Sequence, residues 1–358
     1  MEALKKYGFE PDYAIPPGIT LIEVMESLDM TQKELAIRTG MTVQSLNRIF
    51  KGEQPITYET ANKLELATGV PARMWNNLEA QYREQLSKAE EQKRFESELD
   101  WLKAIPSQEL IKRGALPDQK EKVVLLRETM KFYGVSSIAA WREMWEVPAV
   151  AARRSPCFQS CPGPASAWIR LGELQAHAIQ CAPYDQNKFK QAIQNIHRLT
   201  RENPEKFIPE MSTLCSESGV ALALVPEMKK APWSGATKWL SPSKAMILLN
   251  LRGKTEDLFW FAFFHEAGHV LNDGKKDIYI NDNTEDDPRE RKANEFAAET
   301  LISKNLDSRI RLFTSKAEVE NLAAELGISP GIIVGRYQHL TKKWNYFNDL
   351  KRKFQWTK

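Results

Sequence analysis

The feature that most constrains this chain is the sequence HEAGH at residues 265–269, which directly follows the apolar run LFWFAFF. Residues four apart share one face of an α-helix, so His265 and His269 can present two imidazoles to one metal ion. Glu266 lies beside them and is placed to take a proton from a water held by that metal. Two surface histidines beside a charge are the alternative, and a chance pair need not be followed by a third ligand.

A third ligand is expected because catalytic zinc usually has three protein ligands and one open position. Downstream of HEAGH, the carboxylates of Asp287, Glu290 and Glu295 compete for this role. Glu290 is favoured by helical phase: Asn294 follows on the same face and can support a histidine ligand, whereas Glu295 points elsewhere. The alternative for Glu290 is a helix-capping box in which Asp287 is the N-cap.

The N-terminal part of the chain shows the pattern of short helices separated by tight turns. Thr31 occupies an N-cap position, Glu34 completes a capping box, and Gly40 ends that helix. Thr42 caps the next helix, VQSLNRIF. Two short helices joined by a glycine-containing turn, inside a bundle of about five helices, predict a helix-turn-helix.

Periodicity and helix breakers predict a mainly α fold with a small β-sheet, divided into three segments. The segments are a five-helix bundle with the helix-turn-helix at 1–80, a helical linker or middle region at 81–215, and a C-terminal α+β domain at 216–358. The end of the chain, from about 314 to 358, is predicted to be helical. Its basic, aromatic terminus is interpreted as an amphipathic helix packed on the body, with nucleic-acid or partner contact as the alternative.

Three short segments are candidate strands, at 219–226, 244–251 and 278–282. The second, KAMILLNL, has two interpretations. It is either a sheet edge to which a peptide substrate adds as an extra strand, or an ordinary buried strand.

Composition excludes several classes of protein. Among 358 residues, 50 Lys and Arg against 47 Asp and Glu leave a net charge of only +3. This excludes a positive electrostatic potential over the whole chain that would attract nucleic acid. Four cysteines without a CxxC pair are expected to be free thiols in a reducing compartment. With no signal peptide and no transmembrane run, we expect a cytoplasmic protein without membrane partners.

The segment from about 220 to 303 resembles the ImmA/IrrE family of metallopeptidases. Strand MILLNLR, helix FWFAFFHEAGHVLN, strand IYIND and helix ERKANEFAAETLIS follow in the family's order. The resemblance implies a zincin-like domain that cleaves helix-turn-helix repressors. In it, His265, His269 and Glu290 would bind the metal, Glu266 would be the catalytic base, and Asn294 would support a ligand. Zn²⁺ is favoured by ligand type and geometry, although Mn²⁺ or Fe²⁺ could occupy such a site.

The N-terminal segment resembles Xre-type domains, most closely the HigA antitoxins, and VQSLNRIF would be the recognition helix. Side chains of this region can pair with base edges or phosphates. The candidate DNA contacts are Thr31, Gln32, Thr42, Gln44, Ser45, Asn47, Arg48 and Lys51.

Charge is distributed unevenly in this N-terminal segment. Residues 31–51 carry four basic and one acidic side chain, 4 − 1 = +3, whereas residues 1–80 carry eight basic and eleven acidic, 8 − 11 = −3. Phosphate contacts dominate affinity for DNA, so we expect one domain to bind operator DNA weakly and the chain to act as a homodimer. Docking to a protein is the alternative role for the bundle.

Two functions follow from these motifs. The first is a DNA-binding, zinc-dependent endopeptidase that cleaves a repressor- or antitoxin-type regulatory protein, such as an Xre-type repressor or a toxin, or its own linker near 80–105. The second is an antitoxin-like transcriptional repressor whose zincin domain senses a metal or a partner without proteolysis.

Overall fold

The computed structural model describes residues 14–145, 162–231, 233–274 and 287–356, together with the backbone of Ile278–Ile280. Contacts between Cα atoms divide the chain into two compact units, Met1–Leu99 and Asp100–Lys358. The predicted division into three segments is a different partition and stays a prediction.

From residue 14 onward, where it is described, the first unit is a bundle of five helices, as predicted from the sequence. Thr31, Thr42 and Thr57 begin three of them, and each hydroxyl accepts a backbone N–H from the residue three positions later, at 3.1–3.3 Å. The capping box at Thr31 is incomplete, because the Glu34 carboxylate pairs with Arg38. The helices are α1 (Pro17–Ser27), α2 (Gln32–Thr39), α3 (Val43–Phe50), α4 (Tyr58–Thr68) and α5 (Ala72–Glu98).

Apolar side chains from every helix of this unit form its core. Leu21, Leu35, Leu46, Leu64 and Trp75 are completely buried. Each such side chain stabilises the fold by about 1.5–3 kcal/mol relative to exposure. The core therefore holds α2 and α3 together and leaves side chains on their outer faces exposed to solvent.

The second unit begins with helices and then alternates strands and helices. Its helices are α6 (Ser107–Lys112), α7 (Lys122–Tyr133), α8 (Ile138–Trp145), α9 (Pro162–Ala178), α10 (Gln186–Arg198), α11 (Pro204–Glu217), α12 (Glu256–Asn272), α13 (Pro288–Leu301), α14 (Asp307–Arg311), α15 (Lys316–Leu326) and α16 (Pro330–Thr341). Short 3₁₀ turns lie at Leu99–Lys103, Leu199–Arg201, Lys304–Leu306 and Asn348–Leu350. None of the helices in the described part has the length and apolar character needed to cross a membrane.

Four strands form one mixed sheet in the order β1, β3, β2, β4. The strands are β1 (Val220–Leu224), β2 (Gly235–Ser241), β3 (Lys244–Leu249) and β4 (Ile278–Ile280). β1 and β3 are parallel, whereas β2 is antiparallel to both of its neighbours. The expected small sheet is thus confirmed, with β2 as a strand that the sequence did not predict.

The position of β3 corrects one expectation. Because β3 pairs with β1 on one side and β2 on the other, its backbone has no free edge to which a peptide could add. Within the segment 244–251, β3 is an ordinary buried strand that ends at Leu249, which is the second of the two interpretations. The strand predicted at 278–282 is present at Ile278–Ile280, and residues 281–282 lie outside the described part.

The end of the chain departs from the predicted helix. Helical structure stops at Thr341, where Lys342 adopts a left-handed conformation with φ 61°, and only a 3₁₀ turn follows. Residues 351–354 form an extended C-terminal strap along the start of α12, where Arg352 O accepts the Glu256 amide at 3.0 Å and Lys254 O accepts the Phe354 amide at 2.8 Å.

Candidate functional site

Helices α12 and α13 pack against each other and bring three buried side chains to one point. The Nε2 atoms of His265 and His269 lie 3.0 Å apart. Glu290 places Oε2 at 3.2 Å from His265 Nε2 and Oε1 at 3.2 Å from His269 Nε2. The two histidines are completely buried and Glu290 is almost so. The three side chains meet because His265 and His269, four residues apart, share the face of α12 that is turned toward the first turn of α13.

The spacing of the two Nε2 atoms and the Glu290 carboxylate oxygens fits a metal ion. Tetrahedral zinc with bonds of about 2.0–2.1 Å holds its ligand atoms about 3.3 Å apart. The other ring nitrogens are anchored: Nδ1 of His265 donates to Asn294 Oδ1 at 2.9 Å, and Nδ1 of His269 donates to Asp273 Oδ2 at 2.6 Å. Both anchors turn the Nε2 atoms toward Glu290, as supporting hydrogen bonds do around metal sites. Among the described residues, this is the one such group of His, Cys, Asp and Glu.

The charges around the cluster also favour the binding of a cation. Burial favours neutral His269, but Asp273, Glu290 and Glu266 outweigh burial and raise its pKa to about 10. Burial likewise opposes charge on Glu290, yet the two imidazoles lower its pKa to about 2. One proton on His269 can form hydrogen bonds with only some of the neighbouring carboxylates. A divalent cation would instead accept lone pairs from His265, His269 and Glu290 together.

The two competing carboxylates lie elsewhere. Asp287 is the N-cap of α13 and accepts the Arg289 amide at 2.9 Å. Glu295 is exposed to solvent. The N-cap that sequence analysis placed at Asp287 is present, whereas the Glu290 carboxylate faces the histidines instead of completing a capping box.

Glu266 is completely buried beside the cluster, and burial raises its pKa. Its Oε2 accepts a hydrogen bond of 2.7 Å from the hydroxyl of Thr237 on β2. Sequence analysis missed Thr237 because it missed the strand. It also missed Asp273, although its position four residues after His269, at the C-cap of α12, was a usable signal.

The candidate DNA contacts cluster on the outer face of α2 and α3. Thr31, Thr42, Gln44, Asn47, Arg48 and Lys51 are exposed. Gln32 donates to Asn47 Oδ1 at 2.8 Å and to Val43 O at 3.2 Å, which links the two helices. Ser45 is half-buried and accepts a hydrogen bond of 2.8 Å from Gln54, so its hydroxyl is partly committed to the fold.

Two parts of the chain match known family models. Residues 21–75 match the family model described as helix-turn-helix. Residues 224–337 match the M78 peptidase model, described as IrrE N-terminal-like domain, and this range contains the whole His–His–Glu cluster. The fusion of these two domain types, expected from the sequence, is confirmed. No curated protein and no solved structure matches the chain.

Proposed function

We propose that this protein is a DNA-binding regulator whose C-terminal domain is a zinc-dependent endopeptidase. The observation that carries the proposal is the convergence of His265, His269 and Glu290 beside Glu266, within a domain of a metallopeptidase family. Three ligands with an adjacent buried carboxylate are what metal-assisted peptide hydrolysis requires.

The protein's own residues divide the chemistry between them. His265, His269 and Glu290 would hold the cation, which when bound would polarise a water and the substrate carbonyl. Glu266 would take a proton from the attacking water and later give it to the leaving amine. Asn294 and Asp273 keep the two imidazoles in the tautomer and orientation that binding needs. Zn²⁺ suits this donor set best, and Mn²⁺ or Fe²⁺ would be distinguished by elemental analysis.

The N-terminal unit would read operator DNA through α3. Exposed Gln44, Asn47 and Arg48 have the donors and acceptors that pair with adenine and guanine edges. Lys51 and the hydroxyls of Thr31 and Thr42 would contact phosphates. Because the net positive charge of residues 1–80 is limited to the stretch 31–51, we propose a homodimer that engages two half-sites.

The substrate we propose is a separate regulatory protein of the repressor or antitoxin type. The chain's own segment near 80–105 is a poor substrate, since α5 runs without a break to Glu98 and a 3₁₀ turn follows. A peptide bond inside a helix has its carbonyl hydrogen-bonded and must unfold locally before it can enter an active site. Cleavage of a partner protein would release the genes that this partner controls.

The test compares the wild type with Glu266→Gln and His269→Ala in a cleavage assay on candidate repressors, with metal measured in each sample. We expect cleavage by the wild type only, with metal retained by Glu266→Gln and lost by His269→Ala. Proteolysis that persists in Glu266→Gln would rule out this mechanism. Operator binding by the wild type without any peptide product would instead support the repressor that senses a metal or partner.

A further inference from the structure

Strand β2 holds the carboxylate of Glu266 through one hydroxyl group. Thr237 Oγ1 lies 2.7 Å from Glu266 Oε2 and 3.1 Å from the backbone oxygen of the same residue. A hydroxyl has one proton to donate, and the nearer side-chain oxygen is the better placed acceptor. Both side chains are completely buried, so solvent does not offer a replacement donor.

The second oxygen of Glu266 has a different neighbour on the same strand. Gly235 precedes Thr237 by two residues and therefore shares its face of the sheet. A Cβ atom at Gly235 would lie 2.6 Å from Glu266 Oε1 and 2.8 Å from its Cγ. Within the described residues, no hydrogen-bond donor reaches Oε1. β2 thus donates a hydrogen bond to one carboxylate oxygen and lies close against the other, at a glycine, without donating to it.

We propose that Thr237 and Gly235 are positioning residues that orient Glu266 so that Oε1 accepts the proton of the attacking water. This inference rests on the proposed peptidase function. As the water oxygen bonds to the carbonyl carbon, its proton moves to Oε1. The same proton passes to the amide nitrogen as the C–N bond breaks. Thr237 acts by restraining Oε2 and neither gains nor loses a proton.

The hydroxyl is tested with a matched pair of variants. Thr237→Val removes it with little change in volume, and Thr237→Ser retains it. With a quenched-fluorescent peptide selected from a library for cleavage by the wild type, we expect Thr237→Val to lower kcat by about 10- to 100-fold. KM and metal content should stay near the wild-type values, and Thr237→Ser should recover most of the kcat. A wild-type kcat in Thr237→Val would overturn the proposal.

A second measurement does not depend on activity. Gly235 is outside the left-handed region, and the three atoms nearest its missing Cβ all belong to Glu266. Gly235→Ala should therefore lower the Tm of the full chain, and much less so in a Glu266→Ala background. Thr237→Val should likewise lower the Tm less in the Glu266→Ala background, because the carboxylate that its hydroxyl contacts is absent from that background.

The two measurements separate this inference from the proposed function. Equal Tm shifts in both backgrounds would show that neither residue acts through Glu266. If the wild type cuts no peptide, the proposed function fails together with the proton-accepting role of Oε1. The unfolding comparison would still decide whether Thr237 and Gly235 hold the carboxylate.

Discussion

Arg352, in the C-terminal strap, donates a hydrogen bond of 2.6 Å to the carboxylate of Glu256, which is completely buried at the start of the helix that carries both histidines. Ser329 donates to the same oxygen at 2.7 Å. The carboxylate of the next residue, Asp257, accepts a hydrogen bond of 2.7 Å from the Lys351 ammonium group. The strap thus pairs with two buried acids and links this segment to the start of α12.

Removing the Arg352 charge should therefore destabilise the second unit. Arg352→Met leaves the Glu256 carboxylate buried with hydrogen bonds but no cation, which we expect to cost about 3 kcal/mol of unfolding free energy. Urea denaturation measures this loss. Because Glu256→Gln removes the charge that needs a partner, the double variant should lose less stability than Arg352→Met alone. A stability of Arg352→Met equal to that of the wild type would contradict the role assigned to the strap.

Chelation should lower the thermal stability of the wild type. A cation that binds only the folded state stabilises it by about 2.7 kcal/mol when present at 100 times its dissociation constant. Differential scanning calorimetry with and without a chelator measures the resulting Tm shift. His269→Ala is the control and should show no shift, since it lacks one of three ligands. An identical shift in that variant would place the stabilising cation elsewhere.

Asp273 should matter for metal affinity although it does not face the metal position. Its carboxylate accepts Nδ1–H of His269 at 2.6 Å and fixes the ring. Asp273→Asn should weaken metal binding by about 10- to 100-fold, the usual effect of losing such a partner. Competition with a chromogenic chelator measures it. Asp287→Asn, at the N-cap of α13, is a matched control that should bind metal normally, and equal weakening in both would refute the specific role.

Arg48 is exposed on α3 and should contribute to DNA recognition. If it pairs with a guanine, Arg48→Ala should cost about 1–3 kcal/mol of binding free energy and relax the preference for that base. Fluorescence anisotropy with an operator fragment at fixed salt measures both effects. Arg73→Ala, on α5, removes the same charge outside the α2–α3 face and serves as the control. Unchanged affinity in Arg48→Ala would favour protein docking as the role of the bundle.

Local patterns were sufficient to predict the metal-site helices. The i, i+4 spacing of His265 and His269, and of Glu290 and Asn294, depends only on helical phase, which is a property of nearby residues. The N-caps of α2 and α3 follow from local hydrogen bonding in the same way. These are the parts of the fold and site that the sequence predicts well.

Non-local contacts explain what was missed. β2 carries Lys238, whose ammonium binds Glu173 of α9 inside the fold, so its sequence lacks a continuous apolar run. Because β2 was not predicted, the contact of Thr237 with Glu266 could not be predicted either. For the same reason β3 could be interpreted as a strand at the edge of the sheet. In the C-terminal strap, tertiary pairing of Lys351 and Arg352 with buried acids overrode a helical pattern.

Elemental analysis of the purified full chain tests the central claim most directly. The claim is that two imidazoles and one carboxylate from a later helix together bind one cation. We predict one divalent metal ion per chain in the wild type and in Glu266→Gln, and its loss in His265→Ala, His269→Ala and Glu290→Ala. A folded His269→Ala variant that retains the full metal content of the wild type would contradict the account.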